Sequence, residues 1–394
     1  MNSILIIGAG FGQLPAIRKA KELGYAVICI DRNPNAVGMQ LADFSYEIDV
    51  VDMEAALKIA EKHAVNGVMT MQSDLPVPTI GFVNEKLGLN GVNFEVAMDC
   101  SDKVATRKKL EKFNCEQPKF GIVNELDEAL LIIDKIGYPC IIKAPDSSGS
   151  RGVVKADNEE DIPGAFKEAK KYSRSGSILI EEFIKGIEFG AQTFSINGKC
   201  EIVLMHNDTL SEPPYMIPVG HSFPFYMLNE LQKEAAELDI KKAIESLGIK
   251  DGPANVDLIL DEKSNKIKVI EVGARIGATC LPELVEYHTG IDWVGATILN
   301  ATSNKIFLQK KFSKPVAATI LTADKDGIFQ EYSLMRNLPS NVVEFECTAK
   351  KGDVVSTLKK GTDRIGKVLA YGKNAIDAEK TTTDVANSVL FKID

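Results

Sequence analysis

An α/β domain followed by α+β parts is the fold class that the sequence predicts. Near the N-terminus an apolar run at residues 3–8 ends in glycine, a helical pattern follows from Gln13 to Leu23, and a second apolar run covers 27–30. This strand–helix–strand order is typical of a parallel sheet. Farther along, apolar runs joined by turns such as Asn197-Gly198 indicate antiparallel hairpins. The length of 394 residues allows two or three hydrophobic cores.

The first domain, residues 1–100, is predicted to be Rossmann-like. A helix near 53–63 and a strand near 67–71 extend the opening strand–helix–strand unit. Its glycine-rich turn contains Gly8, Gly10 and Gly12, and Asp31 lies where a ribose-binding acid would stand. The turn lacks the third glycine of the dinucleotide fingerprint GxGxxG. Two interpretations stay open, a structural turn or the cofactor site of an NAD(P)-dependent dehydrogenase.

The second domain is predicted at residues 101–309, with an α+β lid subdomain at about 115–185. Ser101-Asp102-Lys103 stands near the start of a helix that extends to Phe113. The lid's elements alternate between apolar strand-like runs and amphipathic helical patterns. They are strands near 119–123, 141–143, 153–154 and 178–183, and helices near 126–136 and 157–171.

The remaining chain reads as antiparallel strands, one long helix and a small C-terminal domain at 310–394. We expect strands near 188–196, 199–205, 252–260 and 266–272, and helices near 228–247, 351–360 and 375–388. The segment 212–224 is too rich in proline for a regular strand and too apolar for a solvated linker.

Composition limits the function classes. A net charge of −9 and a pI of about 5.3 argue against a general nucleic-acid or anionic-membrane binder. The sequence contains no apolar run long enough for a signal peptide or a membrane span. Its seven cysteines form no CxxC pair, which is typical of a reduced, cytosolic protein without structural zinc. We therefore expect a cytoplasmic protein, with Cys29 and Cys140 packed in apolar strands.

A lysine followed by a loop of small residues suggests a phosphate site. Lys143 ends the apolar run that begins at Pro139, and residues 147–152 are rich in serine and glycine. Such a loop approaches oxygens closely and presents backbone N–H groups, while a lysine supplies a mobile positive charge. The pattern is not the Walker A motif. On its own it also fits a solvated turn.

Two acids in apolar strands suggest a metal site. Asp257 and Glu271 lie in strand-like runs joined by the polar turn 261–265. Carboxylates inside such strands need cations or hydrogen bonds, and Mg²⁺ prefers oxygen ligands. The alternative is a pair of acids on the solvated face of a hairpin.

The order and spacing of four segments resemble the ATP-grasp superfamily. They are the lysine and small-residue loop at 139–152, the apolar strand 178–184 with its acids Glu181 and Glu182, and the two strands that contain Asp257 and Glu271. The chain is most similar to its carboxylate–amine ligase branch, which includes L-amino-acid ligases and enzymes like carbamoyl phosphate synthase. The resemblance implies a Rossmann-like first domain without NAD, an ATP-grasp core and a small C-terminal domain. It also implies a cytoplasmic enzyme that uses ATP and Mg²⁺, with Mn²⁺ as an alternative ion.

The resemblance assigns roles residue by residue. Lys103 and Lys143 would bind phosphates, and Asp257 and Glu271 would bind the metal. Arg275, at the Glu-x-x-x-Arg spacing of this branch, would stabilise the substrate carboxylate or its phosphate. The loop residues that would close over the phosphates are Ser148, Gly149 and Ser150. The residues that would hold adenine and ribose are Glu181, Glu182, Phe183, Ile184 and Glu188. The substrate-side residues would be His221, Ser222 and Gly277, together with Arg275.

One position departs from the family pattern. Many members have Glu-x-Asn where this chain has Glu271-Val272-Gly273, and glycine supplies no metal ligand. Either water completes the metal's coordination shell, or another residue such as Asn255 contributes, or the site is weakened.

The reaction that the resemblance implies joins a carboxylate, such as an amino acid, to an amine through an acyl phosphate and releases ADP and phosphate. Small molecules would be the partners; dimers are common in the family, so a homodimer is one possible assembly, and the sequence leaves the oligomeric state open. Alternatives are a biotin-carboxylase-like enzyme, although no Met-Lys-Met carrier segment is present, and a glycinamide-ribonucleotide-synthetase-like enzyme, suggested by the run 364–370. A catalytically silent nucleotide-binding subunit is the third alternative. The sequence leaves the two substrates open.

Overall fold

A computed structural model describes residues 2–147, 152–212 and 217–394, and within them the chain is mixed α/β, which confirms the predicted fold class. The strands of the described residues are β1 Ser3–Ile7, β2 Ala26–Asp31, β3 Phe44–Glu47, β4 Gly67–Met69, β5 Phe120–Val123, β6 Cys140–Lys143, β7 Val153–Ala156, β8 Ile178–Glu182, β9 Gly186–Ile196, β10 Lys199–Leu210, β11 Pro218–Phe223, β12 Gly252–Asp261, β13 Ile267–Gly273, β14 Val316–Thr322, β15 Gly327–Leu334, β16 Val342–Cys347, β17 Val354–Val355, β18 Arg364–Tyr371 and β19 Val389–Ile393.

The α-helices of the same residues, apart from two single-turn 3₁₀ helices, are α1 Leu14–Glu22, α2 Met53–Lys62, α3 Val77–Leu87, α4 Phe94–Ser101, α5 Lys103–Lys112, α6 Leu126–Ile136, α7 Ile162–Tyr172, α8 Glu230–Leu247, α9 Leu281–Thr289, α10 Trp293–Ala301 and α11 Ala375–Ala386. No helix in the described ranges combines the length and the apolar character that a membrane crossing requires.

The chain divides into two compact units. The first contains residues 1–203, 230–276 and 294–306, and the second contains 204–229, 277–293 and 307–394. The two units are described separately.

The first unit opens with a parallel sheet of order β3-β2-β1-β4. All five residues of β1 are buried, because the strand lies between two neighbours. The turn after β1 places Gly8 at φ +94°, a conformation that favours glycine. The Asp31 carboxylate accepts a hydrogen bond of 2.8 Å from the Ala9 N–H. The glycines and the acid thus stabilise the strand-to-helix turn itself.

Two further sheets complete the first unit. The lid subdomain is an antiparallel sheet of order β5-β8-β6-β7, with α6 and α7 packed against one common core. The other sheet runs in the order β13-β12-β9-β10, and β12 pairs antiparallel with both β9 and β13. These sheets position the strand residues that the sequence singled out.

The second unit contains the order β10-β11-β14-β18-β16 and a smaller sheet β17-β15-β19. α11 packs against β14 and β18, and a buried apolar cluster that includes Val368 and Val385 forms part of its core.

Two sequence expectations need correction, and two helices were missed. The predicted helix near 351–360 is wrong, because Val354 and Val355 form the short strand β17, with Val354 exposed and Val355 buried. The segment 212–224 contains a strand after all, since β11 begins at Pro218 and pairs with β10 and β14. Helices α3 and α4 were not predicted, because their mixed apolar and polar residues gave no clear period.

Candidate functional site

Lys103 begins helix α5 in the first unit. Asp102 caps this helix by accepting hydrogen bonds from the N–H groups of Val104 and Ala105, at 2.7 and 3.1 Å. The Lys103 Nζ lies 3.3 Å from Glu271 Oε1 and donates to the carbonyl of Ser147 at 2.9 Å. The cap and these contacts fix the ammonium between a strand carboxylate and the start of the small-residue loop.

Lys143, Glu181 and Arg107 form a buried charged triad. Glu181 Oε2 lies 2.7 Å from Lys143 Nζ, and its Oε1 lies 2.5 Å from Arg107 Nε. No side chain of the three is more than 7% exposed. Burial acts to raise the pKa of Glu181. The two cations together outweigh this effect, so the pKa is lowered from 4.5 to about 2. Burial lowers the pKa of Lys143 more than Glu181 restores it.

The triad has an excess of positive charge, since two cations face one carboxylate. A buried excess charge is costly unless an anion approaches it. With Lys103 nearby in the same unit, the arrangement favours a polyanionic ligand such as a triphosphate.

Arg107 is a residue of the candidate site that sequence reasoning missed. Besides Glu181, it donates from Nη1 to the Val269 carbonyl at 2.9 Å and from Nη2 to the Ile270 carbonyl at 2.7 Å. A register shift between Asp257 and Leu258 leaves Ile270 as the extra residue of a bulge in β13. Arg107 therefore supplies hydrogen bonds to the backbone just before Glu271. On the sequence it is only one of several basic residues in a helix, and its partners are 74 to 163 residues away.

Asp257 and Glu271 lie directly opposite each other on β12 and β13. Directly opposed residues share one sheet face, with Cβ atoms about 4.5–5.5 Å apart. Asp257 is exposed, and the Glu271 side chain is 42% exposed, so both carboxylates are accessible to solvent. Two accessible carboxylates beside a lysine suit a hard cation such as Mg²⁺ that keeps part of its water and contacts phosphate oxygens.

Asn255 positions one of these acids. Its amide donates to Asp257 Oδ1 at 3.0 Å, while its own oxygen accepts from Gln192 Nε2 at 2.6 Å. The amide oxygen is thus already hydrogen-bonded, and water is the better candidate for the remaining metal ligands.

Gly273 has a steric reason to be glycine. A Cβ atom at this position would lie 2.7 Å from Asp74 Oδ1 and 3.2 Å from the Arg275 Cζ. The ion pair between Asp74 and Arg275 therefore occupies the space that an asparagine side chain would need.

Arg275 is held by that ion pair. Its Nε lies 2.8 Å from Asp74 Oδ1, and its Nη2 donates to Oδ2 at 2.9 Å. Burial lowers the pKa of the guanidinium, but Asp74, with weaker contributions from Asp257 and Glu271, raises it above its ordinary value. The arginine is therefore charged and lies in the field of the two candidate metal ligands.

A cavity of about 400 Å³ lies beside these groups in the first unit. Lys103, Glu271 and Asp74 reach its wall from the charged side. The apolar part of the wall consists of Val51, Met53, Leu75, Pro78, Met98 and Ile270. The cavity offers an apolar wall beside the candidate phosphate and metal groups, as small-molecule sites commonly do.

The residues assigned to adenine and ribose lie on or next to β8 and β9. The Glu182 carboxylate lies 2.5 Å from Lys268 Nζ and accepts from the Lys119 N–H at 3.1 Å. Phe183 is 38% exposed, Ile184 is buried and Glu188 is exposed on β9. Because the Glu181 carboxylate is bound inside the triad, only its backbone is available for a purine. Ser148, Gly149 and Ser150 lie outside the described residues.

The residues assigned to the substrate side belong mostly to the second unit. His221 and Ser222 lie on β11, and Gly277 begins a segment of the same unit. His221 is hydrogen-bonded to Asp208, and Ser222 Oγ donates to Glu379 at 2.5 Å. The thiol of Cys280, in the same unit, is buried, and burial raises its pKa, which disfavours a nucleophilic thiolate.

Comparison with known proteins identifies two regions. Residues 136–283 match the ATP-grasp domain, and residues 319–394 match the L-amino acid ligase C-terminal domain 2. The formate-dependent phosphoribosylglycinamide formyltransferase of Methanocaldococcus jannaschii is 28% identical over 62% of the chain and 63% of that protein. The carbamoyl phosphate synthase large chain of Buchnera aphidicola is 25% identical over 70% of the chain, which spans 28% of that protein.

The similarity to solved structures extends over the whole chain. The chain is similar to phosphoribosylglycinamide synthetase from Anaerococcus prevotii, with a TM-score of 0.85, 28% identity and complete coverage of both chains. It also shares its fold with L-amino acid ligase from Bacillus licheniformis, with a TM-score of 0.84, 23% identity and coverage of 100% and 99%. The chain thus contains an ATP-grasp domain and an L-amino acid ligase C-terminal domain 2.

Proposed function

We propose that the protein joins a carboxylate substrate to an amine, using Mg²⁺ and ATP and releasing ADP and phosphate. The observation that carries the proposal is the convergence, in one unit, of Lys103 and the Lys143 triad with the opposed acids Asp257 and Glu271. Cations for a triphosphate and oxygen ligands for Mg²⁺ are the groups that phosphoryl transfer requires.

The chain's residues act by positioning and charge neutralisation. Lys103 and Lys143 bind phosphate oxygens and hold the γ-phosphate toward the substrate carboxylate. One carboxylate oxygen attacks the phosphorus, ADP leaves, and the acyl phosphate is then attacked by the amine, which expels phosphate. Asp257 and Glu271 would hold Mg²⁺, which when bound would neutralise phosphate charge. Arg275 stabilises the negative charge on the acyl end.

The ion pair of Asp74, which lines the cavity, with Arg275 supports an α-amino acid as the carboxylate substrate. Asp74 is an anion suited to the substrate's ammonium group, and Arg275 is a cation suited to its carboxylate. Both groups are now paired with each other, so a zwitterion that enters between them replaces one ion pair with two. The apolar wall next to Asp74 would receive an apolar side chain.

ADP release, measured while acids and amines are varied in pairs, tests the proposal. We expect one pair to raise ADP release strongly and to give a ligated product in equal amount. Glu271→Gln should remove turnover while the free energy of unfolding changes by no more than about 1 kcal/mol, because the side chain is partly exposed. Glu262→Gln is the matched control, since Glu262 lies on the exposed turn of the same hairpin. Full ligation by Glu271→Gln would refute the assignment of this site.

A second candidate places phosphoribosylglycinamide chemistry at the same site. The M. jannaschii relative and the A. prevotii structure, both 28% identical, bear names of that chemistry. Formate and phosphoribosylglycinamide therefore belong in the substrate panel. A rise in ADP release with these compounds, and with no amino-acid pair, would favour this candidate.

The dehydrogenase alternative is less well supported, because the Asp31 carboxylate is bonded to the Gly-rich turn rather than presented to a ribose. NADH fluorescence on mixing tests it directly. A biotin-carboxylase-like reaction is tested by ADP release with bicarbonate and free biotin. The homodimer stays a prediction for a sedimentation measurement.

A further inference from the structure

Two histidines and an aspartate of the second unit converge on one face of the β10–β11 hairpin. His206 and Asp208 are two residues apart on β10, so their side chains point to the same side of the sheet. His221 lies directly opposite Asp208 on β11. The backbone register alone therefore brings the three side chains together, on strands joined through residues 211–217.

The ligand atoms meet at close range. Nδ1 of His206 lies 2.7 Å from Asp208 Oδ1, and Nδ1 of His221 lies 2.6 Å from the same oxygen. All three atoms lie within 4.8 Å of one another. The two histidine side chains are 2% and 6% exposed, whereas Asp208 is 18% exposed, which leaves a route to the cluster from solvent.

The surroundings fix the imidazoles. Phe223, two residues after His221 on the same strand, meets the His206 ring edge-to-face at 5.6 Å, and the two imidazole rings stand at 78° to each other. The Phe223 ring limits water around the cluster and so strengthens its electrostatic interactions. The rings are thus held with both Nδ1 atoms directed at one carboxylate.

We propose that His206, Asp208 and His221 bind a transition-metal ion, with Zn²⁺ as the best match. Two imidazole nitrogens and one carboxylate oxygen suit Zn²⁺, Co²⁺ or Ni²⁺ rather than Mg²⁺. Tetrahedral metal–ligand bonds of about 2.0–2.1 Å place the ligand atoms roughly 3.3–3.4 Å apart, so the Asp208 oxygen would have to move away from each Nδ1 by about 0.7 Å. Three protein ligands leave one tetrahedral position for water or a small ligand. The ion would clamp β10 to β11.

This site was not expected from the sequence, because the absence of structural zinc was inferred from cysteine spacing alone. His206 and Asp208 are separated from His221 by a hairpin, so their proximity depends on strand register. The proposal does not rest on the ligase function, because it is argued from the register, distances and burial of these three side chains.

Calorimetric titration of the full-length, chelator-stripped protein with Zn²⁺, in excess Mg²⁺, tests the proposal. Mg²⁺ occupies the acids of the first unit, so we expect one equivalent of Zn²⁺ to bind and to raise the melting temperature. His206→Ala, His221→Ala and Asp208→Asn should each weaken binding by at least about 100-fold, more than the loss of an outer-shell partner. His63→Ala and Glu271→Gln should bind Zn²⁺ as the wild type does.

Co²⁺ gives a second readout that does not depend on activity. A tetrahedral Co²⁺ spectrum in the wild type that is lost in His221→Ala supports the site. Circular dichroism of the variants establishes that they are folded. Absence of stoichiometric Zn²⁺ binding to the folded wild type, or unchanged binding in folded His206→Ala and His221→Ala, would overturn the proposal. The cluster would then be a carboxylate that accepts two imidazole hydrogen bonds and no more.

Discussion

Replacing Arg107 with methionine is the sharpest test of how the first unit holds its site. Methionine keeps the length and apolar character of the side chain but removes every donor. The Glu181 carboxylate would keep only Lys143, and the carbonyls of Val269 and Ile270 would lose their hydrogen bonds. Each of these groups belongs to a strand that carries an active-site candidate.

The magnitude follows from burial. The Arg107 side chain is 1% exposed and its carboxylate partner 4% exposed. The substitution leaves three acceptors, one Glu181 oxygen and the two carbonyls, without the donors of Arg107, at about 1–3 kcal/mol for each buried group, so the free energy of unfolding should fall by about 3–5 kcal/mol. Domains of roughly 150–250 residues lose about 2–4 °C per kcal/mol, so the melting temperature of the first unit should fall by on the order of 10 °C.

Thermal and urea unfolding measure this loss, and ATP titration measures its effect on the site. Lys108→Met is the matched control, since it makes the same chemical change at the next, exposed residue of α5 and should shift the free energy of unfolding by less than about 0.5 kcal/mol. Arg107→Lys should recover only part of the loss, because one ammonium cannot reproduce the guanidinium's three contacts. If the free energies of unfolding of Arg107→Met and Lys108→Met agree within about 1 kcal/mol, the triad does not stabilise the unit and the reasoning fails.

Two further predictions concern single positions. The pKa of Glu181 is lowered from 4.5 to about 2, so its contribution to stability is complete above pH 4.5 and is lost as the pH falls through 2. Glu181→Gln should therefore be less stable than wild type at pH 7 by roughly 3 kcal/mol. Urea unfolding should show that this difference in the free energy of unfolding closes toward pH 2. A constant gap across that range would contradict the shift. Gly273→Asn should lower ligase activity although it restores the family's usual residue, because its Cβ displaces Asp74 from Arg275. Gly273→Ala has the same Cβ and should lose a similar fraction of the activity. Full activity in either variant would refute the steric explanation.

The predictions that succeeded had local signals. The parallel opening sheet followed from continuous apolar runs separated by a helical period, and β1 indeed pairs with β2 and β4 in parallel. The hairpin of β12 and β13 followed from two apolar runs around a polar turn, and it places Asp257 opposite Glu271. In both cases the pattern of neighbouring residues determines the element, so one sequence is sufficient.

The predictions that failed, and the residues that were missed, depend on distant partners. Residues near 351–360 were assigned to a helix, yet β17 exists because Val354 and Val355 pair with Ile328 and Gly327. Arg107 gave no signal, because its role consists of contacts to β8 and β13. Asp74 was missed for the same reason, since its partner Arg275 is 201 residues away. The domain boundaries at 100 and 309 also stay predictions, because the compact units are assembled from several chain segments.

The ligand-free site balances its own charges, and this balance predicts how its ligands depend on each other. Lys103 lies 3.3 Å from Glu271, so the proposed metal ligand already has a cation beside it. A metal ion at Glu271 removes the carboxylate that stabilises this ammonium and leaves Lys103 next to a second positive charge, which is unfavourable on its own. A triphosphate at the same place gives Lys103 a new anionic partner and gives the metal further oxygen ligands. Nucleotide should therefore increase the affinity for Mg²⁺, and by linkage Mg²⁺ should increase the affinity for nucleotide by the same factor.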